Sequence, residues 1–191
     1  MIISDHDEDR KLASSALNGD IEAFSRLVRR HQDAVYNLAY RLCGNAATAQ
    51  DIGQEAFIRA YRKLAQYKLE YSFRNWVLGI CANLCRSQYR WWSRKRRTEE
   101  DYAIEMAIQN EPEGQSAAHK SLMYERLEKA LRTLPETLRA PIVLKYMENM
   151  SIREISDTLG ISLSAAKMRL TRGRKQLSRQ LGESIDQGDS T

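Results

Sequence analysis

Residues 151–177, SIREISDTLGISLSAAKMRLTRGRKQL, decide the fold class. Ser151 with Glu154 three positions later is a capping box, and Ile152, Ile155 and Leu159 give the short helix behind it an apolar face. Gly160 supplies a left-handed stop, after which ISLS at 161–164 opens a second helix with Ala166, Leu170 and Leu177 on its inner side. Two short helices joined by a glycine turn, the second strongly basic, are the sequence form of a helix-turn-helix. From Ile161 to Gly182 there are six basic residues (Lys167, Arg169, Arg172, Arg174, Lys175, Arg179) and no acid. A helix entering a DNA major groove needs small or polar residues at its amino end, cationic donors along its exposed face and an apolar back, and residues 162–175 supply all three. The alternative is a solvated amphipathic helix within a bundle.

Upstream, Leu122, Leu127, Leu131 and Leu134 mark one helix, and Leu138, Ile142, Val143, Tyr146 and Met147 mark another. Pro141 falls inside the latter and predicts a kink or a late start, because proline removes a hydrogen bond and crowds the preceding turn. In the amino-terminal half three apolar stripes recur at helical spacing. The first runs Ile21, Phe24, Leu27, Val28, His31, Val35, Leu38 and Leu42, with Asp20 as its cap. The second runs Ile52, Ala56, Phe57, Ala60, Tyr61 and Leu64, and the third Phe73, Trp76, Val77, Ile80, Cys81 and Leu84. Three interlocking faces predict a bundle of about 80 to 90 residues, enough to stand alone.

Charge separates the two halves. Arg86 to Arg97, RSQYRWWSRKRR, holds six basic residues and no acid, whereas Thr98 to His119 holds six acids and no Lys or Arg. Pro112 and Gly114 also interrupt the second stretch, which reads as a flexible acidic linker. The expected architecture is all-α: two small helical domains, 10–97 and 119–182, joined by a linker at 98–118 and followed by a tail at 183–191, with the helix-turn-helix in the second. The totals agree with this organisation. A chain of 191 residues, 42% hydrophobic and 29% charged, with three Pro and nine Gly, is too apolar for a disordered tail and favours helix over a β-sandwich.

The net charge of +5 permits anionic partners without demanding them. No apolar run reaches the roughly 18 residues of a membrane span, and MIISDHDEDRK is acidic where a signal peptide is basic and then apolar. A cytoplasmic protein without membrane insertion is expected. The three cysteines, Cys43, Cys81 and Cys85, form no disulfide framework; Cys81 and Cys85 are one helical turn apart but lack the further ligands of a metal clip, so they read as buried small hydrophobes. No Ser/His/Asp or Cys/His set and no phosphate-binding glycine loop is present, and His6, His31 and His119 are scattered. No catalysis, metal or cofactor is expected.

Two further stretches carry candidate surfaces. In DIGQEAFIRAYRKL, residues 51–64, Asp51, Gln54, Glu55 and Ile58 share one side while Ile52, Ala56, Phe57 and Ala60 face inward, leaving an acidic and amide strip that is either a wet helix face or a protein-docking site. FRNWVLGICANLCRSQYRWW then runs into the cationic stretch. Trp76 lies on the core stripe, while Tyr89, Trp91 and Trp92 are placed for exposure beside arginines, a combination suited to stacking on unpaired bases and steering a phosphate backbone.

DIGQEAFIRAYRKL, FRNWVLGICANLCRSQYR and LRTLPETLRAPIVLKYMENMSIREISDTLGISLSAAKMRLTRGRKQL, in this order, resemble regions 2 and 4 of bacterial RNA polymerase sigma factors of the extracytoplasmic function group. The resemblance covers roughly residues 10–97 and 118–181. It implies that Asp51, Gln54, Glu55 and Ile58 dock on the beta-prime clamp of core polymerase and that region 4 sits on the beta flap. It implies further that the loop 66–72, with Tyr67, Lys68, Glu70 and Tyr71, captures a flipped base of the minus-10 element, and that Asn83, Arg86 and Arg90 help hold the non-template strand. Flipping costs a few kcal/mol of stacking that capture and polymerase binding must offset. Ser164, Lys167, Arg169, Arg172 and Arg174 become the minus-35 contact set, and a cognate anti-sigma factor becomes a partner.

The chain departs from the family pattern in two places. Ser164, Ala165 and Ala166 stand where many relatives have Gly-Thr-Val, and KLEY replaces a glycine-bearing turn in the base-capturing loop. The competing expectation is a self-sufficient DNA-binding regulator whose amino-terminal bundle senses a ligand or dimerises.

Overall fold

The structure is a computed structural model that describes residues 5–98 and 118–182. The chain divides into two compact units, Met1–Ile108 and Gln109–Thr191. Apart from its end residues, the expected linker at 98–118 lies outside the described residues, as does the tail. All regular structure among the described residues is helical.

Four helices build the first unit: α1 (Asp5–Leu17), α2 (Ile21–Cys43), α3 (Ala46–Arg62) and α4 (Phe73–Thr98). Asp20 caps α2, its side chain accepting from the Ala23 amide at 3.0 Å, and Gly44 closes the helix at φ 74°, in the left-handed region. Asn45 caps α3 in the same way, accepting from the Thr48 amide at 2.9 Å. The stripes meet as their spacing requires. Leu27, Val35 and Leu38 of α2, Ala49, Ala56 and Ala60 of α3, and Phe73, Val77, Leu78 and Cys81 of α4 are fully enclosed. Each large apolar side chain so buried contributes on the order of 2 kcal/mol.

Four sequence expectations are corrected in this unit, the first being Tyr61, read on the second stripe but 46% exposed, with its ring edge-on to Phe24. Ile21 leaves the stripe and is 68% exposed, because it starts the helix beyond the core. Trp76 is half-buried, tilted against Tyr67 and Phe73. The bundle also has four helices where the sequence shows three stripes. The fourth, α1, buries a short apolar patch of Leu12, Ala13 and Ala16 and is joined to α2 by charged groups as well. Asp9, 5% exposed, accepts from His31 Nε2 at 2.8 Å and from Arg30 Nε at 3.0 Å, while Glu8 pairs with Arg30 at 2.9 Å and Arg26 at 3.2 Å. His31 is packed, as the stripe required, and Cys81 and Cys85 are buried thiols that form no disulfide.

The second unit consists of α5 (Ala118–Thr133), α6 (Glu136–Tyr146), α7 (Ile152–Leu159) and α8 (Leu163–Leu181). Helix α6 does not start late. It begins at Glu136 and continues through buried Pro141, inside a run from Ala140 to Leu144 that is buried throughout. Packing on all sides holds the helix together where proline removes one bond. Helices α6 and α8 pass close together at Gly173, a buried position where a Cβ would lie 2.7 Å from Ile142 Cγ1.

Candidate nucleic-acid and protein interfaces

The helix-turn-helix forms as the sequence dictates. Ser151 Oγ accepts from the Glu154 amide at 3.2 Å, and Glu154 Oε2 accepts from the Ser151 amide at 2.8 Å. Gly160 adopts φ 61°, after which the Ile161 amide donates back to the Ser156 carbonyl at 3.0 Å and Ser156 Oγ donates to the Ile161 carbonyl at 2.6 Å. The turn is thus locked from both sides. Ser162 then caps α8, accepting from the Ala165 amide at 3.2 Å. Ala166, Leu170, Gly173 and Leu177 are buried; Ser164, Lys167 and Arg172 are exposed, and Arg169 and Arg174 half-buried. Cations and hydroxyls are therefore presented on a helix whose back is fixed. Thr171 and Met168, the latter 46% exposed, belong to the same face at positions i+7 and i+4 from Ser164, and counting from that residue would have found them.

On α3 the partition is equally clean. Ile52, Ala56, Phe57 and Ala60 are buried, whereas Asp51, Gln54 and Ile58 are exposed and half-buried Glu55 accepts from Arg59 Nε at 2.6 Å, one turn on. An apolar side chain, 46% exposed at Ile58, lies among carboxylates and an amide. That mixture suits a protein partner better than a nucleic acid.

Between α3 and α4 the chain makes a 3-10 turn at Leu64–Gln66 and then the loop 67–72. The loop splits into an anchor and a displayed tip. Tyr67 is 6% exposed, wedged against Phe73 and Trp76 with ring centroids 5.5 and 5.0 Å away, and its hydroxyl donates to the Tyr71 carbonyl at 2.6 Å. Lys68, Glu70 and Tyr71 point outward, Tyr71 being 53% exposed. Ser72 caps α4, with Oγ accepting from the Asn75 amide at 3.3 Å. Tyr67 is therefore a prop beneath the tip, which the sequence did not distinguish from its exposed neighbours.

Burial, reinforced by the Asp9 carboxylate and opposed by the Arg10 guanidinium, pushes the Tyr67 hydroxyl up from 10.0 to about 12. In this pH range the unfolded chain gives up that proton before the folded chain does, so stability falls as pH rises from about 10 toward about 12. Urea unfolding across this range should show a shallower decline in Tyr67→Phe than in the native chain; equal slopes would show that Tyr67 does not contribute.

Helix α4 extends the surface away from the loop. Asn83, Arg86 and Arg90 recur at i, i+3 and i+7 and so share one face; Asn83 and Arg90 are exposed and Arg86 is half-buried. Tyr89 is 51% exposed and Trp91 52%. The helix continues to Thr98, while the side chain of Trp92 lies outside the described residues. Among the described residues, no group of His, Cys, Asp or Glu could hold a metal ion, and no helix is long and apolar enough to cross a membrane.

Comparison with known proteins places the chain in a family. Sigma-70 region 2 matches residues 27–98, and Sigma-70 region 4 matches residues 124–177. The chain is 31% identical over 186 residues to the ECF RNA polymerase sigma factor SigW of Bacillus subtilis, covering 90% of this chain and 96% of SigW. It is 38% identical over 157 residues to SigE of Mycolicibacterium smegmatis, covering 81% of this chain but only 60% of SigE. Among solved structures, CnrH in complex with the cytosolic domain of CnrY aligns with a TM-score of 0.69 at 28% identity, covering 92% of this chain and 98% of that one. The sigma factor RpoE of Bartonella quintana, in complex with the anti-sigma factor NepR, shares the fold with a TM-score of 0.72 at 21% identity, covering 86% of this chain and all of that one. The two locally capped units, the ordered region 2 and region 4 matches and the near full-length likeness to SigW show that the chain belongs to the extracytoplasmic function family of sigma-70 RNA polymerase sigma factors, which direct promoter-specific transcription initiation.

Proposed function

We propose that this sigma factor divides its task among the three surfaces described above. Asp51, Gln54, Glu55 and Ile58 of α3 dock on the beta-prime clamp of core polymerase. Lys68, Glu70 and Tyr71, propped by Tyr67 and continued by Asn83, Arg86 and Arg90, receive the melted minus-10 strand. Ser164, Lys167, Arg169, Arg172 and Arg174 of α8 enter the minus-35 major groove while the second unit rests on the beta flap. The chain acts by binding, without catalysis, in the cytoplasm where polymerase and promoters are. Joining weak contacts through residues 98–118 raises effective concentration without any new contact.

The observation that carries this reading is the partition of α3 and α8: each presents a chemically distinct exposed face on a helix whose other face is buried. CnrH and RpoE were solved with CnrY and NepR, the latter an anti-sigma factor, and a protein of that kind is the proposed regulator of this chain.

Run-off transcription with core polymerase on a genomic library tests the whole. Transcripts starting at a shared promoter pattern are expected; tight binding to a palindromic duplex by the chain alone, unaffected by core polymerase in a gel shift, would replace this reading with a self-sufficient regulator. Asp51→Ala combined with Gln54→Ala should weaken core polymerase binding in a pull-down by about tenfold, the scale of two lost polar contacts, with helicity unchanged. Unaltered affinity would remove α3 from the docking surface. Arg172→Ala should weaken promoter binding by the holoenzyme and lower the salt slope by about 1, as loss of one phosphate contact requires.

A further inference from the structure

We propose that α1 belongs to the promoter-opening machinery, with Arg10 as the positioning residue that fixes the minus-10 loop through the carbonyl of Leu69. This inference rests on the reading of residues 66–72 as the minus-10 loop and adds to it a helix lying wholly ahead of the region 2 match at 27–98.

Three carbonyls at the turn of the loop, those of Lys68, Leu69 and Tyr71, each accept a hydrogen bond. The Lys68 carbonyl accepts from the Tyr71 amide at 3.0 Å and the Tyr71 carbonyl from the Tyr67 hydroxyl at 2.6 Å, both within the loop. The Leu69 carbonyl at the tip accepts from Arg10 Nε at 3.0 Å, across 59 residues of sequence. Arg10 is next to Asp9, whose buried carboxylate ties α1 to His31 and Arg30 of α2. The His31 ring in turn lies 5.7 Å from Phe73, the first residue after the loop and its cap. Arg10 thus stands on a fixed base and reaches a displayed tip. A loop whose outward side chains must meet an unstacked base gains affinity and selectivity from being held in its bound shape beforehand. KLEY has no glycine to set its turn, so an external donor takes on that role here. Arg10 is itself exposed and outside the core, so the bundle is expected to stand without it.

The test uses full-length protein with core polymerase on a promoter library randomised at both the minus-10 and minus-35 elements, together with amide hydrogen exchange. Arg10→Ala is expected to reduce the enrichment of preferred minus-10 sequences about fivefold, the size of one solvent-exposed hydrogen bond, while minus-35 enrichment and core affinity stay unchanged. Exchange at the Leu69 to Tyr71 amides should quicken, and Arg10→Lys, which keeps a cationic donor, should recover most of the selectivity. Retained minus-10 selectivity in Arg10→Ala, equal loss at both elements, or unchanged exchange in the loop would each overturn the proposal. Tyr71→Ala serves as the control on the underlying reading: if it too leaves minus-10 enrichment intact, the loop is not the minus-10 reader and the role of α1 falls with it.

Discussion

Gly173→Val is expected to destabilise the second unit by about 3 kcal/mol, a large fraction of the 5–15 kcal/mol that holds a typical domain. The cause is the approach of α8 to α6. A Cβ at this position would lie 2.7 Å from Ile142 Cγ1, 3.1 Å from Ile142 Cδ1 and 3.5 Å from the Leu138 carbonyl oxygen. Ile142 is 3% exposed, so its side chain cannot be relieved by swinging into solvent and must shift within the core. Gly173→Ala should show the smaller form of the effect, because helix propensity returns about 1 kcal/mol while the contact still forces α6 and α8 apart. Combining Gly173→Ala with Ile142→Ala removes the atoms that collide, and should cost less than the two single changes added together. Urea unfolding followed by protection of α6 and α8 amides checks all three variants. Since α8 carries the proposed minus-35 residues, promoter binding should fall in parallel. A Gly173→Val chain as stable as the native one would show that the two helices do not pack this closely.

Asp9→Ala is expected to cost about 3 kcal/mol in the first unit, because it leaves His31 Nε2 facing a buried space without its acceptor and takes from Arg30 one of its carboxylates. His31 is 7% exposed, so water does not readily replace the lost partner. Asp9→Asn keeps an acceptor oxygen and should lose roughly half as much. A double-mutant cycle with His31→Leu isolates the pair: once the imidazole is gone, Asp9→Ala should cost markedly less than it does in the native chain. Additive losses would mean that the two side chains do not interact. This seam attaches α1, so Asp9→Ala should also expose residues 5–17 to proteolysis, which Gly173→Val should not do.

Gly173 and Asp9 both act through contacts that no local sequence signal carries. The strong periodicities of α2, α3 and α4, the capping box at Ser151 and Glu154 and the left-handed Gly160 are local signals, in which neighbouring residues carry the physics, and each was legible. Helix α1 was not, because three small or apolar contacts and a string of acids look like a solvated terminus until Arg30 and His31 are known to face it. Tyr67 was grouped with exposed Lys68, Glu70 and Tyr71 because nothing in AQYKLEYS says which tyrosine turns inward; Phe73 and Trp76 decide that.

The sequence alone determined an all-helical chain in two units, the identity of the helix-turn-helix and the chemical character of its exposed faces. These follow from spacing, caps and charge, which act over a turn or two of helix. Tertiary structure alone decided that α1 completes the first bundle, that Arg10 reaches Leu69, that Tyr67 is a prop and that a Cβ at position 173 would meet Ile142. Each of these depends on atoms brought within a few ångströms across about 20 to 60 residues of chain or by a specific side-chain orientation, and no local pattern encodes such distances.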